Sequence, residues 1–452
     1  AEVAGEHPMH RLLQGEVGSG KTVVALRAML QVIDAGGQAA LLAPTEVLAA
    51  QHAASLRTLL GPLARAGELD SAEQATRVAL LTGSQPAPAR RIALAEAASG
   101  EAGIVIGTHA LLQETVRFAE LGLVVIDEQH RFGVEQRDAL RAKAANPPHV
   151  LVMTATPIPR TVAMTVYGDL ETSSLRELPA GRSPISSRVV PSGERPAWLD
   201  RAWERVVEEV GKGHQAFVVC PRIGADDKPD LVDPETGTAV FGDGEEGRRP
   251  PLAVATVFGM LRDGPLAGVR VEMLHGRMAA DEKDAVMRRF ARGDADVLVA
   301  TTVIEVGIDV PNATMMVVMD ADRFGVSQLH QLRGRIGRGA AAGLCLLVTD
   351  MEEGTPARER LEAVSRTSDG FALARLDLEQ RREGDVLGAA QSGRRRQVRL
   401  LSLLRDEDLI VAARQEASNL VAADPTLADH PALAAAVADL VDDEQAEYLE
   451  KA

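Results

Sequence analysis

Aromatic residues are scarce, with two Trp, two Tyr and eight Phe among 452 residues, or 3% of the chain. A protein that grips single-stranded nucleic acid mainly by stacking bases on rings would carry more, so stacking is disfavoured as a chief mode of binding. Cysteine is as rare: only Cys220 and Cys345 occur, both in apolar runs (216–221 and 344–349) that read as strands. Both are expected to be buried small hydrophobes. They form neither a disulfide framework nor a metal-ligand cluster, which suits a reducing cytoplasm. No run approaches the ~20 apolar residues that span a bilayer, so no membrane partner is expected. The first ten residues, polar and mixed, do not read as a signal peptide. Positive charge is also short, with 49 Lys and Arg against 65 Asp and Glu and a net charge of −16. That sum argues against a polyanionic partner. Local grooves outweigh it, however, and much of the acid lies in two peripheral stretches, 224–246 and 424–450.

What is present is globular. The hydrophobic fraction is 46%, and 452 residues make two to four domains at roughly 100–200 each. Short apolar strands are expected at 39–43, 103–107, 121–127 and 149–154, with helices at 22–35 and 47–60. Strands of this kind alternating with helices indicate a parallel sheet covered on both faces. The stretch 178–196 reads as a linker. The alternation then restarts, with strands at 216–221, 271–275, 296–301, 314–320 and 344–349 and helices at 281–292 and 327–334. Residues 222–251, acidic and rich in Gly and Pro, read as an insertion. After residue 350 the pattern is mainly helical. The fold class is therefore α/β: two tandem RecA-like P-loop lobes with parallel sheets, 1–185 and 186–350, plus a helical C-terminal segment, 351–452.

Two motifs carry chemistry. Gly15-Glu16-Val17-Gly18-Ser19-Gly20-Lys21-Thr22 fits GxxxxGK[ST] and opens a helix. Glycines let backbone N–H groups wrap phosphates, and the helix N-terminus adds positive charge. Lys21 would reach the β- and γ-phosphates of ATP, and the Thr22 hydroxyl would ligate Mg²⁺. The apolar run 123–126 leads into Asp127-Glu128-Gln129-His130. Asp127 would hold Mg²⁺ and Glu128 would orient or deprotonate the attacking water. A phosphate loop so near the first residue predicts further chain upstream of Ala1.

The acidic box followed by Arg131-Phe132-Gly133-Val134 resembles the RecG family of bacterial branched-DNA helicases, motors of superfamily two. Further blocks agree: Ala43-Pro44-Thr45-Glu46, Gly107-Thr108-His109 and Thr154-Ala155-Thr156-Pro157-Ile158-Pro159-Arg160-Thr161. So do Ala300 to Asp309 and Gln331-Leu332-Arg333-Gly334-Arg335-Ile336-Gly337-Arg338. The likeness runs from Arg11 to about Leu404. It implies nucleotide contacts at Gln129, His130, Gly307 and Asp309. It implies arginines at Arg335 and Arg338 that stabilise the transferring phosphoryl group, with Arg338 the favoured finger. It implies DNA contact or coupling at Thr45, Thr108, His109, Thr154, Thr156, His275 and Thr302. In the C-terminal segment it implies a translocation motif with Arg360, Arg381 and Gln391. There the family has Gly-Pro after Arg381 and this chain has Arg382-Glu383, which predicts a less rigid loop.

The resemblance implies an ATP- and Mg²⁺-dependent DNA helicase or translocase acting on stalled forks, Holliday junctions and R-loops. It implies a monomer on branched or duplex DNA, in the bacterial cytoplasm at the nucleoid, with single-strand DNA-binding protein as a partner. The family's wedge domain of oligonucleotide-binding type has no counterpart in these 452 residues. Two alternatives stay open: the motor of a transcription-repair coupling factor, and a degenerate module that binds DNA without hydrolysis.

Overall fold

The computed structural model describes residues 3, 8–16, 18–67, 71–72, 74–127, 143, 146–155, 170–176, 184–223, 251–305, 310–339, 341–380 and 406–438. The strands form two sheets. The first holds β1 (His10–Gly15), β2 (Gln38–Leu42), β3 (Val78–Leu81), β4 (Ile104–Gly107), β5 (Leu121–Asp127), β6 (His149–Thr154) and β7 (Glu171–Leu175). Their order is β3-β4-β2-β5-β6-β1-β7, and every pairing is parallel. Helices α1 (Lys21–Asp34), α2 (Glu46–Leu60) and α3 (Ala87–Ser99) make crossovers.

The second sheet holds β8 (Ile185–Pro191), β9 (Gln215–Val219), β10 (Val271–Leu274), β11 (Val297–Ala300), β12 (Ala313–Val318) and β13 (Gly343–Thr349). Its order is β10-β11-β9-β12-β13-β8, again parallel throughout. Counted from each lobe's own first strand, both sheets read 3-4-2-5-6-1, with β7 added at the edge of the first. The second lobe carries α4 (Pro196–Gly211), α5 (Val254–Asp263), α6 (Ala280–Ala291) and α7 (Val326–Arg333). The C-terminal segment holds α8 (Pro356–Arg366), α9 (Gly370–Gln380), α10 (Glu407–Ala423) and α11 (Pro431–Ala438).

The repeat extends to side chains. Gln38 opens β2 and Gln215 opens β9, and both are buried. Gln38 Nε2 donates to the carbonyls of Ala97 at 3.0 Å and Ala102 at 2.8 Å, the end of α3 and the loop after it. Gln215 Nε2 donates to Phe290 at 2.6 Å and Ala295 at 2.8 Å, the end of α6 and the loop after it. In each lobe one amide satisfies carbonyls that a helix C-terminus leaves without intrahelical partners.

Each sheet is apolar on both faces because helices cover both. β2, β4, β9, β11 and β12 are buried at every position. The first lobe has one apolar cluster around Met29, Leu41, Leu56 and Ile106 and another around Leu12, Leu42, Leu81 and Leu111. In the second lobe, Leu361, Val364 and Leu373 of α8 and α9 join the cluster around Phe217, Phe290 and Phe324. Ile410 of α10 joins the first lobe instead. The C-terminal segment is therefore packed on both lobes.

Residues 178–196 are not simply a linker. β8 lies inside them and pairs with β13 from Ile185↔Gly343 to Pro191↔Thr349, and α4 starts at Pro196. β8 is an edge strand in which Ser186 and Arg188 are exposed while Ser187, Val190 and Pro191 are buried. The polar half of that alternation imitates a loop. All of residues 222–251 except Arg222, Ile223 and Pro251 lie outside the described residues. Cys220 and Cys345 are buried free thiols, and burial pushes Cys345 up to about 12. Among the described residues no helix is long and apolar enough to cross a membrane.

Candidate nucleotide site and lobe interface

The strand order brings the first lobe's motifs to one edge. β1 lies beside β6, and β6 beside β5. Gln14 is in register with Thr154, and Asp127 with Met153. The phosphate loop leaves β1, Thr154 ends β6 and Asp127 ends β5. At ~4.8 Å per strand, the loop and the Asp127 backbone stand about 10 Å apart. That spacing lets a carboxylate and a lysine address the same phosphate group with a cation between them.

The loop is shaped for phosphate. Gly18 and Gly20 have φ of 85° and 91°, in the left-handed region where a side chain is strained. A Cβ on Gly15 would lie 2.6 Å from Ser19 Oγ and 2.9 Å from the Leu175 carbonyl. The buried Ser19 Oγ has no hydrogen-bond partner among the described residues. The first turn of α1 holds no acidic side chain, so the positive end of the helix is left for an anion. These features fit a nucleoside triphosphate with its Mg²⁺. Lys21, 9% exposed, folds back and donates to the carbonyls of Gly15 at 2.7 Å and Glu16 at 3.0 Å.

Asp127 is partly buried, and its Oδ2 lies 2.7 Å from His52 Nε2 on α2. His52 belongs to no motif, and its only signal in the sequence is its place beside the buried face of α2 formed by Ala49, Ala53 and Leu56. Val17, Glu128, Gln129, His130, Thr156, Gly307, Asp309, Arg381 and Gln391 lie outside the described residues.

The candidate DNA residues sit at strand ends. Thr45 Oγ1 caps α2 by accepting from Leu48 N at 3.3 Å. Thr108 is buried and caps the short turn that begins at His109, which is exposed. Thr302 opens a 3₁₀ turn after β11. His275 follows β10, and its backbone N–H points at Met278 Sδ, 3.4 Å away. Arg360 on α8 donates to the Asp322 carbonyl at 2.6 Å and so ties α8 to the second lobe.

α7 faces the first lobe. It carries His330 and Arg333, both buried, and runs into Arg335 and Arg338. Gly337 N donates to the Ala313 carbonyl at 3.3 Å and holds that turn on the sheet. Arg338 Nε donates to the Gly334 carbonyl at 3.1 Å. The lobes meet at Glu16. Its backbone belongs to the phosphate loop, but its side chain leaves the loop. Oε2 lies 2.9 Å from His330 Nε2, and Oε1 accepts from Gly370 N at 2.7 Å. Burial would push the Glu16 carboxyl up. The hydrogen bond from His330, the Gly370 N–H and the Arg333 charge together hold it below the usual carboxylate range. Elsewhere on the interface Val47 of α2 packs against the second lobe's core. Asp284 of α6 is pushed up by burial and by Glu46.

Comparison with known proteins bears on this geometry. Three family models match: DEAD/DEAH box helicase over residues 4–165, helicase conserved C-terminal domain over 252–340, and ATP-dependent DNA helicase RecG, domain 3, C-terminal, over 367–442. The chain is 59% identical over 451 residues to an ATP-dependent DNA helicase RecG from Mycobacterium bovis, covering 99% of this chain and 59% of that protein. It is 44% identical over 424 residues to the RecG helicase of Bacillus subtilis, covering 94% and 57%. Among solved structures, RecG bound to a three-way DNA junction superposes with a TM-score of 0.67 at 37% identity, covering 90% of this chain and 48% of that one. Dbp5 of S. cerevisiae, at 16% identity and a TM-score of 0.54 over 82% of this chain and 85% of that one, shares the fold. The chain spans about 59% of the length of the Mycobacterium relative.

Proposed function

The chain belongs to the RecG family of ATP-dependent DNA helicases, and from that premise we propose that it hydrolyses ATP between its two lobes to remodel branched DNA. The observation that supports the reading is that the phosphate loop, two strands from Asp127 in its sheet, meets α7 of the second lobe through Glu16 and His330, just before Arg335 and Arg338 in the chain. The solved RecG relative that superposes on it is bound to a three-way junction.

In this reading the backbone of Gly15–Thr22 and Lys21 bind the phosphates, and Thr22 and Asp127 hold Mg²⁺. A cation held by Thr22 and Asp127 would supply screening of the phosphate oxygens. Gln129, His130, Gly307 and Asp309 contact the nucleotide. Glu128 takes the proton of the attacking water, whose oxygen bonds to the γ-phosphorus as the bond to ADP breaks. Arg335 and Arg338 stabilise the charge spread over the equatorial oxygens.

DNA phosphates are gripped at strand ends by Thr45, His109, His275 and Thr302, a grip independent of sequence, with buried Thr108 serving it through the turn that it caps before His109. Thr154 and Thr156 link hydrolysis to strand movement. Arg360, Arg381 and Gln391 couple hydrolysis to movement. The functional units are 1–185, 186–350 and 351–452. The protein works as a monomer on branched or duplex DNA at the bacterial nucleoid, with single-strand DNA-binding protein as a partner.

The test is ATP turnover by this chain with no DNA, with linear duplex and with a three-way junction. Turnover stimulated most by the junction is expected. Hydrolysis that ignores DNA would overturn the reading.

A further inference from the structure

GxxxxGK[ST] asks nothing of its second position, yet the carboxylate there is buried and committed to the opposite lobe. A buried carboxylate is costly unless charge and hydrogen bonds compensate for lost water. Here they come from two elements of the distant chain. His330 Nδ1 accepts from Arg333 Nη2 at 2.8 Å, so the ring proton sits on Nε2 and is donated to Glu16. Arg333 Nη1 donates to the carbonyls of Val364 at 3.0 Å and Thr367 at 2.7 Å, where α8 ends. Gly370 N is the first amide of α9. Asp369 Oδ1 caps the next two, Phe371 N at 2.9 Å and Ala372 N at 3.2 Å. The first-turn amide that this cap leaves is taken by Glu16 from the other lobe. The negative carboxylate also suits the helix N-terminus. Glu16 thus holds α7 and the start of α9, and reaches the end of α8 through His330 and Arg333.

We propose that Glu16 is the positioning residue that passes the state of the phosphate loop to the α8–α9 hairpin. The proposal rests on the nucleotide-site reading above and adds a route out of that site. Lys21 donates to the main-chain carbonyl of the same residue whose side chain grips the hairpin. When Lys21 swings to a phosphate, the main chain at Glu16 loses a tether and shifts. A displacement below ~1 Å breaks a bond of this length, because a donor and acceptor about 3.6 Å apart no longer form one. Nucleotide arrival is therefore read at Gly370 and, through His330 and Arg333, at the end of α8. A static strut between lobes would give the same contacts but would not respond to nucleotide.

The test is hydrogen–deuterium exchange of the peptide covering residues 367–373 in the whole chain, with and without a non-hydrolysable ATP analogue. Nucleotide should change the wild-type rate about tenfold, the effect of making or losing one charge-assisted bond. In Glu16→Ala the peptide should exchange fast at both conditions. Glu16→Gln should fall between, since it keeps an acceptor for Gly370 N but faces the His330 N–H with a donor. His330→Ala, which removes the second lobe's donor to Glu16 but leaves Oε1 on Gly370 N, should weaken the response without abolishing it. In parallel, base pairs moved per ATP should fall about fivefold or more in Glu16→Ala, since the hairpin no longer follows the loop. A wild-type peptide that ignores nucleotide, or a Glu16→Ala variant that responds like wild type, overturns the proposal. Absence of DNA-stimulated hydrolysis in wild type would instead overturn the functional reading, and the exchange result separates the two.

Discussion

The two lobes share a strand order and differ at its active edge. In the first, β1 ends in the phosphate loop, β5 in Asp127 and β6 in Thr154. The same three places in the second are closed. β8 is followed by Ser192–Arg195, and Ser192 Oγ donates to the Thr349 carbonyl at 3.1 Å. Thr349, which ends β13, donates through Oγ1 to Asp322 at 2.6 Å, and Asp320, just after β12, accepts from Leu252 N at 2.7 Å. One sheet plan thus yields an edge open to phosphate and an edge satisfied by its own hydrogen bonds. Strand order places loops; loop chemistry decides what binds. In the proposed reading the second lobe contributes from elsewhere, through the arginines after α7.

The sharpest way to break the comparison is at the first strand of each lobe. Lys21→Ala should cost ATP turnover about 10³-fold or more, since it removes the charge that the proposed function places on the transferring phosphoryl group. Ser192→Ala, at the matching place in the second lobe, should stay within about twofold. Equal losses would show that the edges are not distinct. Next, Arg338→Ala should lower turnover on junction DNA about 10²–10³-fold while nucleotide affinity, followed by equilibrium titration, changes far less. A loss confined to affinity would move the second lobe's role from chemistry to binding.

The repeated glutamines sharpen the comparison through stability. Gln38 also accepts from Ala119 N at 2.7 Å and Glu120 N at 3.1 Å. Gln38→Leu should therefore destabilise more than Gln215→Leu. Each unsatisfied buried group costs about 1–3 kcal/mol, so denaturant midpoints should resolve the order. A reversed order would contradict the reading that these hydrogen bonds set the cost of each substitution.

The smallest effect is in acid. Glu209 on α4 accepts from Lys212 at 2.9 Å and Thr314 Oγ1 at 3.0 Å, and pairs with Arg205 at 2.7 Å and His214 at 2.9 Å. Burial pushes its carboxyl up, but these partners outweigh burial and bring it to about 2. A depressed folded value gives stability that is present above the ordinary carboxylate range and lost as pH falls towards about 2. Arg205 and Lys212 are half in solvent, which screens the pairs, so on the order of 1 kcal/mol is at stake. Glu209→Gln should flatten that acid limb, read as melting temperature against pH. An unchanged limb would assign it to other carboxylates.

Much of this was legible in sequence. Short apolar strands ending in Asp127 or Thr154, and glycines around Lys21, follow from local chemistry. β8 was not, because an edge strand exposes half its side chains and reads as polar loop. β7, Glu-Thr-Ser-Ser-Leu, hides in the same way. The role of Glu16 was hidden for another reason: its partners lie 314 and 354 residues away. No spacing rule reaches that far, and only folding brings the phosphate loop to α7 and α9.

The most direct test of the account is the ATP turnover of this chain on a three-way junction, wild type against Lys21→Ala. The account predicts junction-stimulated turnover in the wild type and none above background in the variant. Stimulated hydrolysis that survives in Lys21→Ala would contradict it.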